Sequence, residues 1–397
     1  MDNLVVNKSR IPSIDLLRGL VMIIMALDHT RDFFHTEAWT DDPLNMATTT
    51  PALFFTRWIT HFCAPIFVFL AGTSTWLQGL RKSKKELSVF LIKRGFWLIL
   101  IEIFVMNFAF SFDIHFSLIA LQTIWSIGIS MIILGLMIWL PLTVILITGL
   151  VIVLGHNILD FFEKGQMASP GVWYDLLHHP GFHHLWGNHN LLILYPFLPW
   201  AGLMMLGYCF GKIIGDTDES QRKKVLIALG TRIILFFIVL RATNVYGDPD
   251  HWSSQKNIIF NILSFINTHK YPPSLLYMCM TIGPGILFLA FFSNAGNRLS
   301  KIISVYGRVP FFYYILHFYL IHLLCMILFF ARGHSFAQGM NDHGGGFLPN
   351  FIIPGEGYNL WIVYLIWFCV VASLYPLCKW YDKYKSNHRE KKWLSYL

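Results

Sequence analysis

Apolar residues along this chain fall into ten blocks, each long enough to cross the hydrocarbon core of a bilayer: roughly 14–34, 52–78, 95–112, 117–139, 142–158, 191–212, 225–242, 273–293, 308–330 and 358–378. The blocks are evenly spaced and their connections are short. The pattern predicts an all-α fold, a polytopic membrane helical bundle of about ten transmembrane helices, with residues 1–397 forming a single transmembrane domain. No low-complexity linker, soluble domain or clear internal repeat interrupts it.

Polar residues inside the blocks are few, and the first block holds the densest set. In SIDLLRGLVMIIMALDHTRDFFH, Ser13 to His35, the stretch Gly19 to Leu27 is apolar apart from its glycine, whereas both ends are charged. Asp15 and Arg18 stand at one end; Asp28, His29, Arg31, Asp32 and His35 stand at the other. On one helix, Arg18 and His29 share a face about 16 Å apart along the axis. That is about half the hydrocarbon thickness. Ionisable groups at such depth are costly and mark a site. An anchor helix with a snorkelling arginine would carry a similar pattern. Block nine, GRVPFFYYILHFYLIH, repeats the design: Arg308 begins it, and Tyr313, Tyr314 and His317 follow at helical spacing. Arg57 and His61 are four apart in block two, and Pro65 is expected to free a carbonyl or kink that helix. Glu102, in block three, needs a partner, for which the membrane histidines are candidates.

Composition agrees with the membrane assignment: 55% hydrophobic and only 13% charged residues. The net charge of +8 reports topology. With the N-terminus inside, 23 of the 30 basic residues lie on the inner side, so both termini are expected in the cytoplasm. Anionic lipid headgroups account for this charge without nucleic acid. The six cysteines lie in or beside apolar blocks and form no CxxC, so they read as packing residues. The first block is expected to be retained, because DHTRDFFH follows it where a signal peptide would have a small-residue cleavage site.

Of 17 histidines, His29, His61, His317 and His322 lie inside blocks, and only His388 lies in a clearly inner segment. Five crowd the outer loop before block six: His178, His179, His183, His184 and His189. Imidazoles bind transition metals, but this spacing fits no ligand template, so a polar loop is expected and no metal. HGGG at His343 to Gly346 resembles a hydrolase oxyanion string, yet the chain lacks GxSxG, which leaves a flexible loop. No phosphate-binding or dinucleotide motif is present. Buried histidines would also suit a membrane transporter of a sugar, proton or metal ion, or a haem-b protein.

Four stretches together resemble a known family: SIDLLRGLVMIIMALDHTRDFFH, HFCAPIFVFLAGTS, LHHPG with YPFLPWAGLMMLGYCFG, and YGRVPFFYYILHFYLIH. The family is the heparan-alpha-glucosaminide N-acetyltransferase catalytic-domain family, in its bacterial branch. The spacing of Arg18 and His29 also resembles the broader acyltransferase-3 family of membrane proteins. The resemblance implies transmembrane acyl transfer: acetyl-CoA enters from the cytoplasmic side, and an amine or hydroxyl of an extracytoplasmic sugar or glycan receives the acetyl group. It implies a multi-pass protein of a bacterial cytoplasmic membrane, compatible with a homo-oligomer. By the acyltransferase pattern, Arg18 and His29 carry the site. The animal enzymes have asparagine at the position of His29 and a catalytic histidine before a tryptophan further on. His35, in HTEAW before Trp39, is the nearest match here, so His29 and His35 are both candidate bases. The chemistry suits these residue types. Histidine removes an acceptor proton, and Asp28 or Asp32 can orient it. Tyr313 and His317 are candidate donors to an oxyanion. Arg18, Lys93, Arg94 and Arg308 are candidate partners for the CoA phosphates.

Overall fold

The computed structural model describes residues 11–163, 170–293, 296–340, 348–388 and 390–395. The HGGG string lies outside these residues. The chain opens with α1 (Pro12–Phe34), whose proline sits in the first turn, where a missing N–H costs nothing. Next come α2 (Pro51–Trp58) and α3 (Cys63–Gly79), joined by a 3₁₀ turn over Ile59–Phe62, then α4 (Lys84–Ile101), a π-helical turn over Glu102–Met106, and α5 (Asn107–Ser111). Strand β1 (Leu118–Leu121) leads into α6 (Thr123–Met137), which is followed by α7 (Leu142–Gly155), α8 (Leu159–Glu163) and α9 (Val172–Leu177). Strands β2 (Gly181–Trp186) and β3 (His189–Ile193) precede α10 (Phe197–Asp216), α11 (Glu219–Thr243) and α12 (Ile258–Ile266). The remainder is helical: α13 (Leu275–Phe291), α14 (Arg298–Arg308), α15 (Pro310–Ala331), α16 (Phe336–Gly339) and α17 (Leu360–Asn387).

Every one of the ten apolar blocks holds one of the long helical segments, so the all-α membrane bundle stands. Among the described residues, six helical segments are long and apolar enough to cross a membrane unaided: Pro51–Gly79, Leu142–Glu163, Phe197–Asp216, Glu219–Thr243, Pro310–Ala331 and Leu360–Asn387. Helices α6 and α13 are apolar but shorter, and α1 carries the charges noted above. The lipid-facing sides of α7, α11 and α17 expose Val151, Val239 and Phe368.

The sequence pattern misplaced the starts of two blocks. Residues 118–121 and 189–193 are strands, not helix, and they pair in parallel in a sheet of order β1-β3-β2, with β2 antiparallel to β3. Non-helical backbone at the end of an apolar block needs its polar groups met by protein. Asn107 does this: its Oδ1 accepts from the Ala120 N–H at 2.6 Å, and its Nδ2 donates to the Ala120 carbonyl at 3.1 Å. Glu102 adds Oε1 as acceptor for the Gln122 N–H at 3.1 Å, just ahead of α6. The partner of Glu102 is therefore backbone, and no membrane histidine bonds it. A carboxyl oxygen fits there, because the leading amides of a helix have no intrahelical acceptor.

Close helix crossings are made at glycines. A Cβ on Gly19 would fall 2.0 Å from the Ile303 carbonyl oxygen, and one on Gly307 would fall 1.8 Å from the Asp15 carbonyl oxygen. Helices α1 and α14 thus touch backbone to backbone. Gly72 with Gly207 does the same for α3 and α10, Gly95 with Gly128 for α4 and α6, and Gly230 with Gly283 for α11 and α13. Small residues let helices gain dispersion contacts that lipid cannot supply.

Candidate active site

The far end of α1 is fixed by a buried ion network. Asp28 and Arg31 are three apart, one helical turn, and their side chains meet at 3.2 Å. Arg57 of α2 donates to the other oxygen of Asp28, and Arg31 also donates to Asp32. The Trp39 indole N–H closes the turn on the Asp32 carbonyl at 2.7 Å. Two carboxylates and two guanidiniums balance in charge here, which is how charges persist out of water. Both aspartates are spent on arginines, and neither hydrogen-bonds His29. Asp28 thereby links α1 to α2 through Arg57, and Asp32 pairs within α1.

His29 faces α15 instead. Its ring centroid lies 5.3 Å from that of His317 and 4.1 Å from that of Phe318. The histidines of blocks one and nine therefore meet. His317 is fully buried, and its Nδ1 lies 3.1 Å from the Tyr313 carbonyl oxygen. A carbonyl only accepts, so Nδ1 carries a proton, which leaves Nε2 as the ring's other hydrogen-bonding atom. That nitrogen has no hydrogen-bond partner among the described residues. His317 thus keeps one ring nitrogen free of described protein partners in this pocket. The Tyr313 ring stacks on His317 at 5.2 Å, and its buried hydroxyl has no partner among the described residues.

His35 sits elsewhere. It follows the last turn of α1, is bridged to Tyr358, and lines a small pocket with Arg31, Glu37 and Asp41. Burial holds its imidazole below the ordinary histidine value. His29 and His35 are six residues apart, so the helix turns them to different faces.

At the other end, Arg18 donates to Ser74 Oγ at 2.9 Å and to the Gly307 carbonyl at 3.3 Å, and lies 3.6 Å from Asp15. Arg308 pairs with Asp382 of α17 at 2.7 Å. The glycine crossing of α1 and α14 thus brings these two candidate cations to one place. Lys93 is exposed on α4, and Arg94 is half-buried beside it.

A cleft of about 460 Å³ opens at the His35 end of the bundle, between the end of α8 and the segments before α12 and α13. Asp160, Glu163, Asp248, Tyr246, His269 and Tyr271 line it. The Lys270 ammonium lies 5.1 Å from the centre of the Tyr271 ring. Arg241, buried at the end of α11, shapes this side by donating to the carbonyls of Phe265, Asp250 and Ser264 at 2.9, 2.6 and 3.1 Å.

Residues 10–243 match the family profile described as "Heparan-alpha-glucosaminide N-acetyltransferase, catalytic". The chain belongs to this family. No curated protein matches the chain significantly. Membership in the heparan-alpha-glucosaminide N-acetyltransferase family makes this an acetyltransferase-type membrane protein, in a family whose general donor is acetyl-CoA.

The matched stretch holds Arg18, His29, His35, Arg57 and the five crowded histidines from His178 to His189, whereas Arg308, Tyr313 and His317 lie beyond it. Sequence reasoning gave no role to Asp160 or Tyr271. Their signal was weak, because each flanks a block as an ordinary loop or helix-end residue would. The five crowded histidines do not converge on one point. His179 and His183 meet Asp175 at 3.3 and 2.8 Å, His184 meets Asn190 at 3.3 Å, and His189 meets the Phe116 carbonyl at 3.1 Å.

Proposed function

We propose that the protein moves an acetyl group from acetyl-CoA, bound at the Arg18 end of the bundle on the cytoplasmic side, to an amine or hydroxyl of a sugar or glycan on the opposite side. The observation that carries this reading is the meeting of His29 and His317 in the interior, in a member of an acetyltransferase family. Such transfer needs a base, a dry reaction site and access from both faces. His29 is half-buried and hydrogen-bonds no described residue, so its ring is available to an acceptor. It takes the acceptor proton as the nitrogen or oxygen attacks the thioester carbonyl. The C–S bond breaks, the new C–N or C–O bond forms, and the proton leaves with the CoA thiol. The Nε2 lone pair of His317 lies in the same pocket and accepts a hydrogen bond from protonated His29. Phe318 and Tyr313 keep the pair out of water, which strengthens these contacts.

Arg18 and Arg308 are suited to the CoA phosphates, exchanging Asp15 and Asp382 for a stronger anion. Lys93 and Arg94 extend the positive surface toward the cofactor's nucleotide. The cleft lined by Asp160, Asp248 and Tyr271 is suited to a polar, hydroxyl-rich acceptor. Both termini are read as cytoplasmic and residues 1–397 as one functional unit.

The experiment is acetyl-CoA turnover by purified protein in lipid nanodiscs, with a panel of amino sugars and envelope glycans. His29→Ala is expected to lower kcat by about 10²–10⁴ with CoA binding intact, which is the range for a general base. His317→Ala is expected to lower kcat less. A His29→Ala protein with near-wild-type turnover would remove His29 from the chemistry and move the base to His35.

A further inference from the structure

We propose that His178, Asp160 and Glu163 form a binding site for one divalent transition-metal ion at the wall of the outer cleft. The proposal does not depend on the acetyl-transfer reading. It rests on one side-chain cluster in the cleft wall to which the proposed chemistry gives no step.

Asp160 and Glu163 are three apart at the end of α8, so they share a face. His178, fully buried at the end of α9, points into that face. One ligand atom from each of the three residues lies within 4.8 Å of the other two. The His178 Nδ1 lies 2.6 Å from Glu163 Oε1, and its Nε2 lies 4.0 Å from Asp160 Oδ1. Each ligand is oriented by a further group. Asn157 Nδ2 donates to Asp160 Oδ2 at 2.7 Å, and the Tyr174 hydroxyl donates to Glu163 Oε1 at 2.8 Å. His156 Nδ1 lies 3.1 Å from the Nε2 of His178, ready to accept its N–H. Histidine ligands usually donate their second ring N–H in this way, which fixes ring and tautomer.

Charge argues for an ion. Two carboxylates of 15% and 14% side-chain exposure converge on one imidazole. No lysine or arginine among the described residues pairs with either. A protonated His178 would offset one negative charge; a divalent cation offsets both. On an ion with bonds of about 2.0–2.2 Å, nitrogen and oxygen ligands stand about 3.0–3.4 Å apart. The present 2.6 Å contact needs to open by less than an ångström, which rotation of Glu163 supplies. Asp160 and Glu163 both line the cleft, giving an entry path and an open side for water. The imidazole and carboxylate donors suit Zn²⁺ or Mn²⁺.

The test uses full-length protein without a histidine tag, stripped with a chelator and equilibrated with ZnCl₂ or MnCl₂ separately. Wild type is expected to retain about one ion per chain by mass spectrometry, with a higher unfolding temperature when loaded. Asp160→Asn and Glu163→Gln keep side-chain shape and are expected to reduce retained metal at least tenfold. His178→Ala should abolish retention, and the two carboxylate variants carry the test if it fails to fold. His183→Ala, beside the separate Asp175 cluster, should retain metal as wild type does. No retained ion and no metal-dependent stabilisation in wild type would overturn the proposal. So would an ion that survives in Asp160→Asn and Glu163→Gln, or one lost only in His183→Ala.

Discussion

At the scale of residues, the bundle invests its charge in pairs. Asp28 lies between Arg31 and Arg57, and the cost of removing either arginine is the cost of a buried charge left uncompensated, about 3–5 kcal/mol. The pair of His269 and Asp250 is a different case, since both reach water. Burial opposes the charged form of His269, but Asp250 at 2.7 Å and the Tyr271 carbonyl at 2.8 Å outweigh it and raise its pKa to about 9. The folded value lies above the unfolded one, near 6.5. The pair's stabilisation is therefore complete below about pH 6.5 and disappears as pH rises through the folded value. Comparing unfolding temperatures of wild type and His269→Gln from pH 6 to 10 checks this. The difference should be largest at pH 6 and close to zero at pH 10; a difference that grows with pH would refute it.

At the scale of elements, two local choices of sequence matter most. Pro65 cannot donate to the carbonyl four residues back, which is that of His61. The structure assigns that carbonyl to the Tyr277 hydroxyl of α13, at 2.9 Å. The helix break over Ile59–Phe62 is thereby tied to a neighbouring helix, and Arg57 is carried to Asp28. The second choice is glycine at the crossing of α1 and α14. Gly307→Ala places a methyl against backbone, which no rotamer change can relieve, and costs about 1–3 kcal/mol or more. Gly155→Ala, where a Cβ meets nothing within 4 Å, serves as the control. Thermal unfolding in detergent should show a clear drop for Gly307→Ala and little change for Gly155→Ala. Equal stability of both variants would mean that the crossing tolerates separation. Because Arg18 donates to the Gly307 carbonyl, Gly307→Ala should also weaken acetyl-CoA binding.

At the scale of the whole molecule, the bundle has two unlike ends. One carries Arg18, Arg308 and the basic run 81–85; the other carries the small sheet, the cleft and most of the described histidines. The basic end is expected to face the cytoplasm, since lysine and arginine resist translocation. Reporters fused after Leu397 and inserted near Lys223 should read cytoplasmic, and one near Gly187 should read external. An external reading at the C-terminus would reverse the orientation and place the proposed acetyl-CoA end on the wrong side.

The sequence by itself determined the class of this protein and the spacing of its key groups along α1. Apolar block length set the ten helical segments, and helical pitch set the Arg18 and His29 separation, because both follow from backbone geometry alone. Block edges were less legible. Residues 118–121 are as apolar as a helix would be, and only pairing with 190–193 makes them a strand. Tertiary structure also decided the partners. Nothing local tells Asp28 to choose Arg57, 29 residues away, over His29 beside it in sequence. Nor does block nine announce that His317 will meet His29, since that contact depends on how α1 and α15 rotate when their neighbours pack. Hydrophobicity and helical period act within a segment. Charge pairing, ring contacts and hydrogen-bond satisfaction act between segments, and they resolve only when the segments are brought together.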